Sequence, residues 1–199
     1  PRPNGGLTRG EAKGKNLGQG RAMAALAHDR AGLDRRHVEG WGRGVEPGGG
    51  GALEGVKIAL YQPDIAANVG AILRLGACLD VAVEIIEPCG FPFDMRLIRR
   101  VALDYIDHVN LHRHSSWAAF QAAPERAGER LILLSTKGAV RYDEFAFRRG
   151  DTLLFGRESA GVPQDVAAAA DAVLRVPMAP DMRSLNVASA GAMILGEAL

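Results

Sequence analysis

Between residues 56 and 176, six short runs of apolar and β-branched residues alternate with stretches of helical spacing. Residues 56–61, 81–86, 107–111, 131–134, 152–155 and 172–176 read as strands. Residues 68–79, 93–101, 116–122, 162–170 and 184–199 read as helices, with Pro163 tolerated near the start of its helix. Strands interleaved with helices predict an α/β fold with a mainly parallel sheet flanked by helices. Such sheets bind ligands beyond the carboxyl ends of their strands. The loops after Tyr61, Leu134, Phe155 and Val176 are therefore where a site is expected.

The pattern does not extend over the whole chain of 199 residues. Residues 1–55 hold 15 of the 25 glycines and nine Lys/Arg against six Asp/Glu, whereas residues 56–199 carry 15 against 17. This splits the chain into a Gly-rich leader, 1–55, expected to be disordered or artefactual, and a domain, 56–199, large enough for one core. Met23–Ala27 could supply a helical turn or two within the leader. The leader lacks the apolar stretch of a secretory signal. No apolar run is long enough to span a bilayer, so no membrane association is expected. Two cysteines, Cys78 and Cys89, fit a reducing cytoplasm. The chain begins at Pro1 rather than Met and stops at Leu199 inside an apolar helical pattern, which reads as a truncated C-terminus.

Three loops carry most of the chemistry. In the first, Gln62 to Gly70, Asn68 is placed to cap the following helix, and Arg74 lies one turn beyond Gly70. In the second, Gly156-Arg157-Glu158-Ser159-Ala160-Gly161 has glycines spaced like a phosphate loop. It lacks the Gly-Lys-Ser/Thr of one, and Glu158 suits a neutral or cationic ligand better than a phosphate. In the third, Pro177 and Pro180 stiffen the approach to Ser184, which reads as the cap of the last helix. His108, His112 and His114 are the one histidine cluster, and no Cys or carboxylate pattern completes a metal set, so no metal is expected. Taken singly, each loop also reads as an ordinary strand-to-helix connection.

Taken together, the loops are more specific. Asn68-x-Gly70-x-x-x-Arg74, Phe155-Gly156-x-Glu158-x-x-Gly161-x-Pro163, Val176-Pro177-Met178 and Ser184-Leu185-Asn186 resemble the three motifs of the SPOUT superfamily in order and spacing. The branch resembled is the ribose 2′-O-methyltransferases, in particular the small single-domain enzymes acting on the tRNA wobble nucleotide. Ile85-Ile86-Glu87-Pro88-x-Gly90-Phe91, Leu103-Asp104-Tyr105 and Ser135-Thr136-Lys137-Gly138 support the match.

The resemblance implies a C-terminal deep trefoil knot, a rare exception to unknotted topology. It implies S-adenosyl-L-methionine as cofactor, held by Leu134, Thr136, Gly138, Gly156, Val176, Met178, Ser184 and Asn186. It implies Arg74 as the leading catalytic residue, with Asn68 positioning it and Glu158 ordering the second loop. An arginine guanidinium stays protonated well above neutral pH, so its proton role is left open. It also implies a homodimer with active sites built across two subunits.

The expected partner is a tRNA anticodon stem-loop, not DNA, because single-stranded loops expose their 2′-hydroxyls. With a net charge of only +1, RNA contact is expected from a local patch of Arg96, Arg99, Arg100 and Lys137. A solvated helix face is the bland alternative for these arginines. Two functional alternatives remain: methylation of another tRNA or rRNA ribose, and a knotted RNA-binding protein without catalysis.

Overall fold

The computed structural model describes residues 55–199. The expectations for the leader lie outside the described residues. Among the described residues seven strands are present: β1 (Lys57–Tyr61), β2 (Ala82–Ile86), β3 (Leu111–His114), β4 (Leu131–Leu134), β5 (Val140–Arg141), β6 (Thr152–Phe155) and β7 (Ala172–Arg175). The helices are α1 (Ala66–Leu79), α2 (Met95–Ala102), α3 (Trp117–Gln121), α4 (Gln164–Ala168) and α5 (Val187–Ala198). The strands form one sheet in the order β3-β2-β1-β6-β4-β7-β5, and every pairing is parallel.

Alternation along each strand sorts side chains between two apolar layers. Ile58, Leu60, Val83, Ile85, Leu153 and Phe155 pack with Val69, Ile72 and Leu73 of α1, Ile98 of α2 and Ile194 of α5. Ala59, Tyr61, Ile86, Leu133 and Leu154 pack on the opposite face with Phe120 of α3 and Val166 of α4. Burial on both faces explains why the central strands read as continuous apolar runs.

Strand register then positions the site. Leu60 of β1 and Leu134 of β4 both pair with Phe155 of β6. The carboxyl ends of three adjacent strands therefore finish level. The chain runs outward from β1 to β3 and returns on the other side at β4, with β6 filling the gap. That reversal of strand order is where an open α/β sheet forms a crevice.

Several local expectations need correction. Residues 103–107 form a 3-10 turn, and the third strand lies later, at Leu111–His114. Asp107 is held in that turn by Arg99, which removes it from the strand. α1 starts at Ala66 with Ile65 at its cap position, so Asn68 lies inside the first turn and does not cap the helix. Asn186, not Ser184, caps α5 by accepting from the amides of Ala188 and Ser189 at 2.9 and 3.3 Å. β5 was not anticipated, because two residues at a sheet edge leave no periodic signal. His114 is buried against Phe120 while His112 is exposed. Among the described residues, no group of three or more His, Cys, Asp or Glu could hold a metal ion.

Candidate active site

A cleft of about 750 Å³ opens beyond the carboxyl ends of β4, β6 and β7. That volume lies within the range of small-molecule sites. Of the residues expected at a cofactor, Leu134, Thr136, Gly156, Val176, Met178, Ser184 and Asn186 line it, as do Asn68 and Glu158. Gly138 lies just behind the wall. A Cβ there would meet the Leu174 carbonyl carbon at 2.4 Å, so the 135–139 loop can lie on β7 only with glycine at this position.

Gly156 begins a tight hairpin after β6. Arg157 and Gly161 exchange backbone hydrogen bonds at 2.9 and 2.8 Å, and Gly161 has φ of +68°. A Cβ on Gly156 would meet the Gly161 carbonyl carbon at 2.6 Å. The absent side chain lets the hairpin fold onto itself and leaves main chain facing the cleft.

The three loops are tied into one polar network. The Glu158 carboxylate accepts from the Asp64 amide at 2.8 Å and from Asn68 Nδ2 at 3.0 Å. Asn68 Oδ1 accepts from Asn186 Nδ2 at 2.9 Å, and Asn186 Oδ1 in turn caps α5. Glu158 thus spends both oxygens on the first loop. Glu158 is the residue expected to order the second loop, and its two oxygens tie that loop to the first.

A second clamp was missed by sequence reasoning. Asp64 accepts from the Arg157 guanidinium at 2.9 Å and from the Ser159 amide and hydroxyl at 3.1 and 2.5 Å. The one available signal was opposite charge on two loops, Asp64 and Arg157, which spacing alone cannot pair. The Ser159 hydroxyl, aided by Arg157, holds the Asp64 carboxyl below its ordinary value of 3.8. A depressed carboxyl stabilises the folded form above that value, and the contribution is lost as pH falls through the lower folded value. Asp64→Asn is therefore expected to be less stable than the parent at pH 7, with the gap closing below pH 3.8. Urea titrations across that range test this; a gap independent of pH would refute it.

Arg74 does not line the cleft. It is exposed on α1, with its guanidinium 4.6 Å from the centre of the Tyr105 ring. Arg96, Arg99 and Arg100 are exposed on α2, and Lys137 is exposed beside the cleft. Arg99 makes a two-pronged ion pair with Asp107, whereas Arg96, Arg100 and Lys137 have no ion-pair partner among the described residues. Arg183, which the sequence reading passed over, also lines the cleft.

A known family model, described as the SpoU rRNA Methylase family, matches residues 55–196. The chain belongs to the SpoU rRNA methylase family. Its curated relatives in the family include the tRNA (cytidine(34)-2′-O)-methyltransferase of Beijerinckia indica, 58% identical over 142 residues. That alignment covers 71% of this chain and 89% of the relative. The enzyme of the same name from Escherichia coli K12 is 38% identical, over 72% of this chain and 91% of its own length. A solved structure described as "Structural insights into the 2-OH methylation of C/U34 on tRNA" is 39% identical with a TM-score of 0.68. It covers 73% of this chain and 95% of that one. The AdoMet-bound rRNA methyltransferase from Sinorhizobium meliloti is 25% identical with a TM-score of 0.65, over 72% of this chain and 55% of that one. The SpoU methylase assignment thus agrees with the resemblance drawn from the loop motifs.

Proposed function

We propose that residues 56–199 form a tRNA ribose 2′-O-methyltransferase that uses S-adenosyl-L-methionine to methylate the wobble nucleotide. The observation that carries this reading is the cleft at the level strand ends, lined by the three interlocked loops. The high identity to enzymes named for cytidine 34 supports the choice of nucleotide. The residues present fit the cofactor: the Gly156 hairpin leaves main chain open to the cleft, and Leu134, Val176 and Met178 give it apolar walls. Bound there, S-adenosyl-L-methionine would supply an electrophilic methyl group to the ribose 2′-hydroxyl.

In this reading Leu134, Thr136, Gly156, Val176, Met178, Ser184 and Asn186 hold the cofactor, and Gly138 sets the loop that carries Thr136. Asn68 and Glu158 keep the loops in register. Arg74 orients the 2′-hydroxyl and neutralises the adjacent phosphate. Because Arg74 is exposed and outside the cleft of its own subunit, it acts on the ribose presented to the cleft of a second copy, making the enzyme a homodimer. The exposed Leu185 and Met193, at 43% and 42% exposure, supply apolar surface for that contact. The 135–139, 156–163 and 176–186 loops form the crossings of a trefoil knot. Arg96, Arg100 and Lys137 contact RNA phosphates, and Arg99 joins them where a phosphate competes with Asp107. The tRNA substrate of this reading places the enzyme's work in the cytoplasm.

The test is to incubate the full chain with bulk tRNA and methyl-labelled cofactor, then map the product by nuclease digestion and mass spectrometry. Label at the first anticodon nucleotide is expected. Label at another tRNA ribose, or label only when rRNA replaces the tRNA, refutes the wobble assignment, and absence of cofactor binding by calorimetry refutes the enzyme reading.

A further inference from the structure

The turn after α2 buries Ile106 in the core and carries one unusual backbone position. Leu103 adopts φ of +58° and is 53% exposed, so a bulky residue sits in left-handed backbone without burying its side chain. Such backbone persists only where its surroundings enforce it, and it clusters at functional sites. Arg99 Nη1 and Nη2 donate to the two Asp107 oxygens at 2.6 and 2.7 Å, bridging the turn from α2 to its last residue. Inside the closed turn, Tyr105 presents its ring to the Arg74 guanidinium at 4.6 Å.

The chemistry of that contact matters. A carboxylate partner would occupy two of the five N–H donors of a guanidinium, whereas a ring face holds the cation and leaves the donors free. Among the described residues, Arg74 has no ion-pair partner. Its guanidinium is therefore held in place while its donors remain available to RNA.

We propose that Tyr105 is a positioning residue for Arg74, and that the Arg99–Asp107 bridge and the turn at Leu103 exist to aim its ring. This rests on Arg74 acting at the ribose. It also reassigns Arg99 from phosphate contact to holding the turn.

Methyl transfer by the full-length protein tests the proposal with Tyr105→Leu, Tyr105→Phe and Asp107→Asn. Tyr105→Leu lowers kcat about 2- to 5-fold, the scale of one cation–ring contact at an exposed site. Cofactor affinity, the KM for tRNA and the thermal midpoint stay unchanged. Tyr105→Phe keeps the ring and restores kcat. Asp107→Asn lies in solvent and does not threaten the fold; it lowers kcat with KM unchanged.

Full activity in Tyr105→Leu, or equal losses in the leucine and phenylalanine variants, overturns the proposal. If Tyr105→Leu does not fold, Asp107→Asn decides. A lower KM for tRNA at unchanged kcat would mean that a freed Arg99 binds phosphate and that the bridge aims nothing. Arg74→Ala run alongside separates the two readings. Unchanged turnover there removes the role of Arg74 itself, whereas lost turnover beside a fully active Tyr105→Leu removes only that of Tyr105.

Discussion

Arg74→Ala is expected to bind S-adenosyl-L-methionine as tightly as the parent chain and to lose about 10²–10³-fold in kcat, the usual scale for removing one preorganised charged donor. The two halves of the result have separate structural causes. Arg74 lies on α1 outside the cleft that its own loops line, so the cofactor pocket of the same subunit loses no contact. Its exposed side chain covers only the Tyr105 ring, so stability changes by no more than about 1 kcal/mol. Calorimetry with the cofactor, beside single-turnover methylation of tRNA, measures both halves. Weakened cofactor binding would place Arg74 in the pocket and contradict the proposed division between subunits. Turnover equal to the parent's would remove Arg74 from the chemistry.

Gly156→Ala is expected to abolish cofactor binding while costing the fold only part of its stability. The added carbon would sit 2.6–2.9 Å from three backbone atoms of Gly161. Backbone cannot rotate away as a flexible side chain can, so the hairpin must open and break its Arg157–Gly161 hydrogen bonds. Overpacking of this kind costs about 1–3 kcal/mol of stability. The larger effect falls on the cleft, because the displaced hairpin carries Glu158 away from Asn68 and the Asp64 amide. Cofactor binding is expected to disappear from a protein that still folds. Denaturant titration and calorimetry read the two effects, and an alanine variant with parental affinity would show that the hairpin does not shape the site.

Much of the fold was legible because burial on both sheet faces writes itself as continuous apolar runs. Leu131–Leu134 and Thr152–Phe155 matched the strands residue for residue. The failures were at places where long-range contacts override local preference. Asp107 was drawn out of a strand by Arg99 eight residues away. Asn68 was read as a cap because its chemistry suits one, but Glu158 and Asn186, 90 and 118 residues distant, claim its side chain. The motif residues lining the cleft were readable because three loops in fixed order make a pattern no single loop provides. The Asp64–Arg157–Ser159 clamp was not, because nothing in a linear sequence says which of its acids and bases will meet.

The network that joins Asp64, Glu158, Asn68 and Asn186 has a consequence for how this domain can be altered. Its hydrogen bonds span from residue 64 to residue 186, nearly the whole described fold. No loop of the site therefore has a shape of its own that could be lifted into another scaffold. A graft of the second loop alone would arrive without the amide and the asparagine that receive Glu158. Transplanting this specificity requires moving all three loops together, with the sheet that brings their roots level.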